Sequence, residues 1–386
     1  MKILFTGGGS GGHLMPLVAV SRERRRLYNN PSTDSTGSLQ AGSGQETLKF
    51  YYIGPGSTPG FFQLAQEPMF KTYTILPGKL RHYFSLMNIV DVLFTIPISF
   101  LQSFFWLFFI GPDLVFSKGG TGSLSVTYCA RLLSIPVFLH ESDMVPGRSN
   151  RITSRWAKKV FTSFEKTEYF DLEKTLCVGS PIKKELLEGD ESSAKEMFGI
   201  TLQKPIIMVW GGSQGAEALN DFVILALNDL LKNYEIIHVC GKKNYKITLA
   251  EAEVMAQKEL WPNYHLYGTL NEIQLKHVFK VASLVISRAG AGGIFEIAAT
   301  GKPSILIPLP TAAGDHQSKN AYAYAGTGAA LVVEQANLTP HFFLGKIQQL
   351  ISSPETLKQM STAALAFAKP LAAKAIAREI LEYLQK

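Results

Sequence analysis

Short apolar runs alternate with longer stretches of helical periodicity along this chain of 386 residues. The apolar runs end at glycine, proline or polar residues, as buried strands do. Predicted strands span 3–5, 50–53, 114–117, 137–140 and 160–163 in the first half, and 206–209, 236–240, 265–267, 284–287 and 304–307 in the second. Because strands that alternate with helices build parallel sheets with helices on both faces, the pattern predicts an α/β fold.

Two segments depart from this alternation. Residues 31–45 are rich in Ser, Thr and Gly and nearly free of large apolar side chains, so we expect a flexible insertion. Residues 92–112 carry no charge and are long enough to span a bilayer. Predicted strands of one sheet lie on both sides of this run, which argues against a membrane crossing and leaves two interpretations. It is either a buried core helix or a pair of short helices, divided at Pro97, that partly project onto a membrane surface.

The middle and the end of the chain carry boundary signals. A Gly-Ser-Pro turn within 177–190 predicts an interdomain hinge. Residues 372–386 form an amphipathic pattern, with Ile376, Ile380, Tyr383 and Leu384 on one stripe, and Pro370 should end the helix before it.

Composition narrows the class of protein. Hydrophobic residues at 46% and charged residues at 18% indicate a globular chain, and the N-terminal apolar run is too short for a signal peptide. The cysteines, Cys129, Cys177 and Cys240, fit no zinc spacing, so a reducing compartment is expected. A net charge of +7 and Lys71, Lys79, Arg81 and His82 near the uncharged run favour an anionic partner. A bilayer face or a phosphorylated substrate fits better than nucleic acid, because no aromatic and basic RNA-binding pattern is present.

Two glycine-rich loops each follow a predicted strand and open a helix. They are KILFTGGGSGGHLMPL at 2–17 and PIIMVWGGSQGAEALN at 205–220. Glycines allow close approach of the backbone, and a helix N-terminus offers free N–H groups to phosphate. The first loop lacks the acidic residue at the end of a second strand that a dinucleotide-binding site needs. Neither loop is followed by the lysine of a Walker motif. A plain strand–helix turn remains the alternative, although His13 at the first helix mouth favours a phosphate or hydroxyl ligand.

Four more clusters follow predicted strands, at 117–120, 140–151, 287–301 and 314–321. Residues 289–293 could present N–H groups to a diphosphate, and Glu296 could accept hydrogen bonds from a ribose diol. The alternative is that Glu296 only complements the helix dipole. Gln317 and Asn320 suit sugar hydroxyls, or else form an ordinary helix cap and surface.

The set GGGSGGH, HESDMVPGRSNR, GGSQGA, SRAGAGGIFEIAATGKP and DHQSKNA, in this order, resembles the MurG family over nearly the whole chain. These are the undecaprenyl-diphospho-muramoylpentapeptide β-N-acetylglucosaminyltransferases that make lipid II of peptidoglycan. The resemblance implies a GT-B fold, with two Rossmann-like domains separated by a cleft. It implies an acceptor and membrane domain at 1–180, a UDP-GlcNAc domain at 181–365, and a C-terminal helix at 366–386 that packs back on the first domain.

The resemblance also implies roles for individual residues. His13 would be the catalytic base or would orient the acceptor. The acceptor diphosphate would contact Gly8, Gly9, Gly119, Gly120 and Glu141. The donor would contact Ser10, Gly11, Gly12, Asp143, Lys183, Ser213, Gln214, Leu270, Ile273, Ala291, Gly292, Gly293, Ile294, Phe295, Glu296 and Gln317. Within this set, the residues near 213 would hold the diphosphate and Glu296 would bind the ribose. Gln317 would contact the sugar, and residues 268–273 would face uracil.

Two of these residues depart from the family pattern. Lys183 stands where the family usually has Arg, which keeps the charge and loses the bidentate fork. Asp143 replaces the more common Asn, which weakens the case for its contact with the donor sugar. The insertion at 31–45 and the uncharged run at 92–112 are also atypical.

The implied reaction is an inverting transfer without cofactor or metal. The C4 hydroxyl of the lipid-linked muramoyl sugar attacks the anomeric carbon of GlcNAc, and UDP leaves from the opposite face. A helix N-terminus should lower the pKa of His13 and favour the neutral imidazole that a base requires. The implied location is the cytoplasmic face of a bacterial membrane, with an anionic membrane surface and other cell-wall synthesis proteins as partners. Two rivals remain: a diacylglycerol glycosyltransferase of the same fold, and a non-catalytic UDP-sugar-binding subunit.

Overall fold

The computed structural model describes residues 1–8, 11–29, 48–56, 61, 64–77, 89, 91–120, 122–165, 168–212 and 216–385, without the side chains of 11–15, 28, 29 and 313. The insertion expected at 31–45 lies outside these residues. The chain divides into two compact units, Met1–Ile182 with Leu371–Lys386, and Lys183–Pro370. Acceptor and donor roles for the two units stay predictions.

The first unit is built on a seven-stranded parallel sheet in the order β3-β2-β1-β4-β5-β6-β7. Its strands are β1 (Lys2–Thr6), β2 (Lys49–Pro55), β3 (Phe70–Ile75), β4 (Leu114–Ser117), β5 (Val137–Glu141), β6 (Lys159–Thr162) and β7 (Thr175–Cys177). Its helices are α1 (Gly11–Asn29), α2 (Ile96–Ile110), α3 (Ser123–Leu132) and α4 (Arg148–Thr153).

The second unit is built on a six-stranded parallel sheet in the order β10-β9-β8-β11-β12-β13. Its strands are β8 (Ile206–Trp210), β9 (Glu235–Val239), β10 (Tyr264–Tyr267), β11 (Leu284–Ser287), β12 (Ser304–Leu306) and β13 (Ala330–Val332). The helices are α5 (Glu191–Phe198), α6 (Glu217–Leu225), α7 (Leu227–Asn233), α8 (Tyr245–Met255), α9 (Glu272–Val281), α10 (Ala291–Ala299), α11 (His316–Ala325), α12 (Pro340–Ile351) and α13 (Pro354–Phe367).

The strand orders place a switch point in each sheet. In the first unit the chain moves outward from β1 to β3 and then returns, so that β4 pairs with the other side of β1. The second sheet repeats this order, with β11 beside β8. Loops that diverge after such neighbouring strands leave a crevice at the carboxyl edge, where open α/β sheets bind ligands. Both glycine-rich loops begin at these points.

Each predicted strand is present, with small shifts at the ends, and the structure adds β3, β7 and β13. The last helix of the chain, α14 (Ala372–Leu384), belongs to the first unit. Its Ile376 and Ile380 are fully buried, and the Tyr383 ring meets Phe138 edge-on with centroids 5.1 Å apart. Pro370 lies between α13 and α14, as expected of a helix-ending proline.

The uncharged run forms one continuous helical segment, so the prediction of two short helices is wrong. A π-helical turn, Asp91–Thr95, leads directly into α2, and Pro97 lies in the first turn of α2. Proline is tolerated there because first-turn N–H groups need no partner within the helix. By length and composition Asp91–Ile110 could span a membrane. Only 22% of its most apolar stretch is buried, which is low for a core helix. The strands before and after it, β3 and β4, belong to the same parallel sheet.

The buried face of α2 combines two serines with Leu107 and Ile110, while most of its aromatic side chains are exposed. Ser99 and Ser103 lie on the buried face and hydrogen-bond to Ser125 of α3, at 2.9 and 3.1 Å. The exposed face is aromatic and aliphatic, with Leu101 71% exposed and Phe109 66% exposed. Its other exposed members, counting the preceding π-helical turn, are Val92, Leu93, Phe94, Ile98, Phe104, Phe105 and Phe108. We call this set the α2 patch, and it rules out the interpretation of the run as a core helix.

Candidate functional site

The loops after β1 and β4 are joined by backbone hydrogen bonds. The N–H of Gly8 donates to the carbonyl of Gly119 at 2.7 Å, and the N–H of Lys118 donates to Thr6 at 2.9 Å. Gly119 and Gly120 have φ of +73° and +86°, a region that favours glycine. The structure therefore brings together Gly8, Gly119 and Gly120 of the predicted acceptor residues.

Glu141, the last residue of β5, organises the loop that follows it. Its buried carboxylate accepts hydrogen bonds from the backbone N–H groups of Asp143, at 2.9 Å, and Gly147, at 3.3 Å, and from the side-chain amide of Asn150, at 2.7 Å. Burial, with repulsion from Asp143, raises the pKa of Glu141 to about 7. Asn150 in turn packs against Gly119, where an added Cβ would lie 2.0 Å from its Oδ1. Glu141 thus shapes the loop after β4 through Asn150.

A buried lysine lies between the ends of β4 and β5. The ammonium of Lys118 is 2.6 Å from Nδ1 of His140 and donates to the hydroxyl of Ser142. His140 Nε2 lies 2.9 Å from the carbonyl of Gly179. Burial and the nearby Lys118 charge hold the pKa of His140 well below its usual range. The neutral ring therefore accepts at Nδ1 and donates from Nε2. Sequence reasoning gave neither Lys118 nor His140 a role, although a lysine directly after the buried strand β4 was a usable signal.

In the second unit, the switch point lies between β8 and β11. The hydroxyl of Ser287 donates to the carbonyl of Trp210 at 2.7 Å, which holds the two strand ends together. Gly290 is the N-cap of α10, and the first-turn residues Gly292 and Gly293 remain partly exposed. An added Cβ on Gly293 would lie 3.5 Å from the Trp210 ring, so the helix starts close over the end of β8. The N–H groups of this turn can bind an anion.

Lys183, Glu272 and Glu296 come together beside α10. Lys183 forms an ion pair with Glu272, the first residue of α9, and interacts electrostatically with Glu296. Glu296 retains some exposed surface but is closely surrounded by protein. Burial raises its pKa to about 7, Lys183 opposes the rise, and Glu272 adds to it. Glu272 was missed from the sequence because its partner lies 89 residues away.

The remaining residues that were predicted to contact the donor are placed as follows. Gln317 accepts a hydrogen bond at Oε1 from the N–H of Leu309 at 3.0 Å. Asn320 is fully buried and donates to the carbonyl of Ala289 at 3.2 Å, so it acts within the protein and not as a sugar contact, cap or surface residue. Leu270 is half-buried and Ile273 is 60% exposed at the start of α9. Ala291, Ile294 and Phe295 are buried in α10.

Several predicted site residues lie outside the described residues or are described only in part. Gly9, Ser10, Ser213 and Gln214 are outside them. The backbone of Gly11, Gly12 and His13 forms the first turn of α1. Asp143 is half-buried. Among the described residues, no three His, Cys, Asp or Glu side chains come together as a metal site requires.

Comparison with known proteins identifies the family. Residues 43–162 match the glycosyltransferase family 28 N-terminal domain, and residues 206–376 match its C-terminal domain. The chain is 35% identical, over 92% of its own length, to the UDP-N-acetylglucosamine--N-acetylmuramyl-(pentapeptide) pyrophosphoryl-undecaprenol N-acetylglucosamine transferase of Clostridium kluyveri, and covers 92% of that protein. It is also 35% identical, over 92% of its length, to transferase 2 of the same name from Bacillus anthracis, and it covers 93% of that protein. The chain belongs to the MurG family.

Solved structures agree on the fold. The chain superposes on Acinetobacter baumannii MurG with a TM-score of 0.71 at 23% identity, covering 99% of each chain. It superposes on the UDP-GlcNAc 2-epimerase of Neisseria meningitidis, bound to UDP-GlcNAc, with a TM-score of 0.65 at 14% identity, covering 99% of this chain and all of that one. The predicted GT-B fold and the MurG resemblance are confirmed, and the protein is a glycosyltransferase.

Proposed function

We propose that this MurG-family enzyme transfers GlcNAc from UDP-GlcNAc to the C4 hydroxyl of undecaprenyl-diphospho-MurNAc-pentapeptide, which yields lipid II. The observation that carries the proposal is the 35% identity, over 92% of the chain, to transferases whose names state this donor and acceptor. The anion-binding turn and the nearby carboxylate of Glu296 in the second unit support it.

The donor would bind at the carboxyl edge of the second sheet. First-turn N–H groups of α10 suit a diphosphate, and Glu296 lies one turn further along the same helix. An ionised Glu296 can accept hydrogen bonds from both ribose hydroxyls. Leu270 and Ile273, in the loop after β10 and at the start of α9, would face the uracil.

The acceptor diphosphate would bind at the carboxyl edge of the first sheet. Support comes from the joined loops of Gly8, Gly119 and Gly120, whose glycines permit close backbone approach. In the displacement, the acceptor oxygen forms a bond to the anomeric carbon while the bond to the UDP oxygen breaks. A base must take the hydroxyl proton, and His13 in the first turn of α1 is our candidate.

The acceptor's polyprenyl chain lies in a bilayer, so the enzyme must reach a membrane surface. The α2 patch supports peripheral attachment, because its helix buries serines and exposes aromatic rings. Such an exposed apolar surface marks an interaction site. We propose that it inserts shallowly into the cytoplasmic leaflet of the cell membrane.

A radiolabelled transfer assay tests the function. UDP-[14C]GlcNAc is offered with undecaprenyl-diphospho-MurNAc-pentapeptide or with diacylglycerol in the same detergent. We expect label only in the polyprenyl product. Transfer to diacylglycerol alone would identify a glycolipid synthase. Tight UDP-GlcNAc binding without transfer to either acceptor would identify a non-catalytic binding subunit.

A further inference from the structure

Lys118 is an unusual residue to find in a protein interior. It directly follows β4 and is only 3% exposed. Lysine is almost never fully buried unless an opposite charge pairs with it, because desolvation of an ammonium is costly. Both hydrogen-bond partners of this ammonium, His140 and Ser142, are uncharged.

The acidic groups near Lys118 do not offset the effect of its burial. Glu141 and Asp143 both interact with it electrostatically, but burial outweighs them and lowers the pKa of Lys118 to about 8. The oxygens of Glu141 are already occupied by Asp143, Gly147 and Asn150 of its own loop. With a pKa of about 7, Glu141 also carries only part of a full charge near neutral pH. Within the described part of the chain, the ammonium of Lys118 therefore has no carboxylate among its own hydrogen-bond partners.

Lys118 also connects the loops that surround the predicted acceptor site. Its N–H donates to Thr6 at the end of β1, and its ammonium reaches His140 and Ser142 at the end of β5. Through His140, the contact extends to the carbonyl of Gly179, shortly before the first unit ends at Ile182. The residue that follows Lys118 is Gly119, whose carbonyl accepts from Gly8.

We infer that Lys118 is a positioning residue of the acceptor site: its buried charge holds the loops after β4 and β5 and supplies positive potential to a diphosphate bound at Gly8, Gly119 and Gly120. This inference rests on the proposed function. It explains why the interior keeps an ammonium whose hydrogen-bond partners are uncharged, since a bound anionic acceptor would add a counter-charge.

The first test replaces the charge and keeps the length of the side chain. Lys118→Met should lower kcat/KM for the polyprenyl-diphosphate acceptor by about 10- to 100-fold, the range for loss of a charged interaction. Calorimetric Kd for UDP-GlcNAc should not change. Lys302 supplies the matched control, because burial also lowers its pKa to about 8. It lies in the other unit, where its ammonium donates to the backbone carbonyl of Lys280. Lys302→Met should leave acceptor kinetics unchanged.

The second test is the pH profile, which does not depend on how well a variant folds. The groups that face Lys118 are His140, Glu141 and Asp143. His140 is neutral and Glu141 ionises at lower pH, so deprotonation of Lys118 should give the wild-type enzyme a fall in acceptor kcat/KM above about pH 8. Lys118→Arg, which stays protonated, should move that fall upward.

The outcomes separate this inference from the proposed function. If the wild-type enzyme moves no GlcNAc to the polyprenyl-diphosphate acceptor, the proposed function fails and the inference fails with it. If transfer occurs, an acceptor kcat/KM that stays level from pH 7.5 to 10 would overturn the inference alone. So would a folded Lys118→Met enzyme with wild-type acceptor kcat/KM.

Discussion

The ammonium of Lys183 is paired with the carboxylate of Glu272, and both act electrostatically on Glu296. The sequence predicted that Lys183 contacts the donor. Its pairing shows a second effect, because the positive charge opposes the burial that raises the pKa of Glu296. A lysine that favours ionised Glu296 would support the ribose contact even without touching a phosphate.

Removing Glu296 should weaken donor binding. Glu296→Ala is expected to raise the KM for UDP-GlcNAc by about 10- to 100-fold, since a hydrogen bond to a charged group contributes about 1.5–3 kcal/mol. Acceptor KM should stay close to that of the wild type. Glu296→Gln keeps the shape and removes the charge, so it should show an intermediate loss. An unchanged donor KM in the alanine variant would refute the ribose assignment.

The ionisation of Glu296 should also make donor binding depend on pH. With a pKa of about 7, the carboxylate gains a proton as the pH falls through neutrality, so the donor KM should rise on the acidic side. The stability effect has the opposite sign. Since the folded pKa lies above the ordinary glutamate pKa of 4.5, this group's contribution to stability is lost as the pH rises from 4.5 through 7. In Glu296→Gln both dependences should flatten, as donor titrations and melting curves across this range would show.

The strand pattern was readable from the sequence because strands buried in parallel sheets are nearly continuous apolar runs. The missed strands β3, β7 and β13 are edge strands, and the last two span only Thr175–Cys177 and Ala330–Val332. The candidate site was partly predictable, since its glycines and Glu296 follow strands. The Lys118–His140 contact could not be predicted from the sequence, because it depends on β4 and β5 being neighbours in the sheet.

Gly119 should tolerate no side chain. Its φ of +73° and the 2.0 Å approach of an added Cβ to Asn150 combine strain with a clash. Gly119→Ala should therefore lower stability by at least about 1–3 kcal/mol, the usual cost of left-handed strain alone. Gly147 is the matched control, because its φ is −62° and nothing lies within 4 Å of an added Cβ. A Gly119→Ala protein with the same melting temperature as the Gly147→Ala protein would contradict the geometry.

His13 is testable through kinetics. If it is the base, His13→Ala should lower kcat by about two to four decades while the melting temperature stays near the wild-type value. If it only orients the acceptor diphosphate, the loss should appear mainly in acceptor KM. Normal kcat and KM together would eliminate both roles and leave a structural histidine.

The α2 patch should govern membrane attachment. Phe104, Phe105 and Phe108 are 42%, 50% and 64% exposed, so each presents a large part of its ring to solvent. The triple variant should sediment less with anionic liposomes and bind UDP-GlcNAc as before, because burial of apolar side chains in the headgroup region drives interfacial attachment. A matched control replaces Leu225 and Val254, which are 65% and 84% exposed in the second unit, with Ser.

The control variant should sediment like the wild type, because Leu225 and Val254 lie outside the α2 patch. Equal sedimentation of all three proteins, with a markedly lower melting temperature for the triple variant alone, would show that the phenylalanines support the core and that the membrane site lies elsewhere. The Ser99–Ser125 and Ser103–Ser125 hydrogen bonds argue for weaker sedimentation of the triple variant, since they fix which side of α2 faces the protein and leave Phe104, Phe105 and Phe108 on the exposed side.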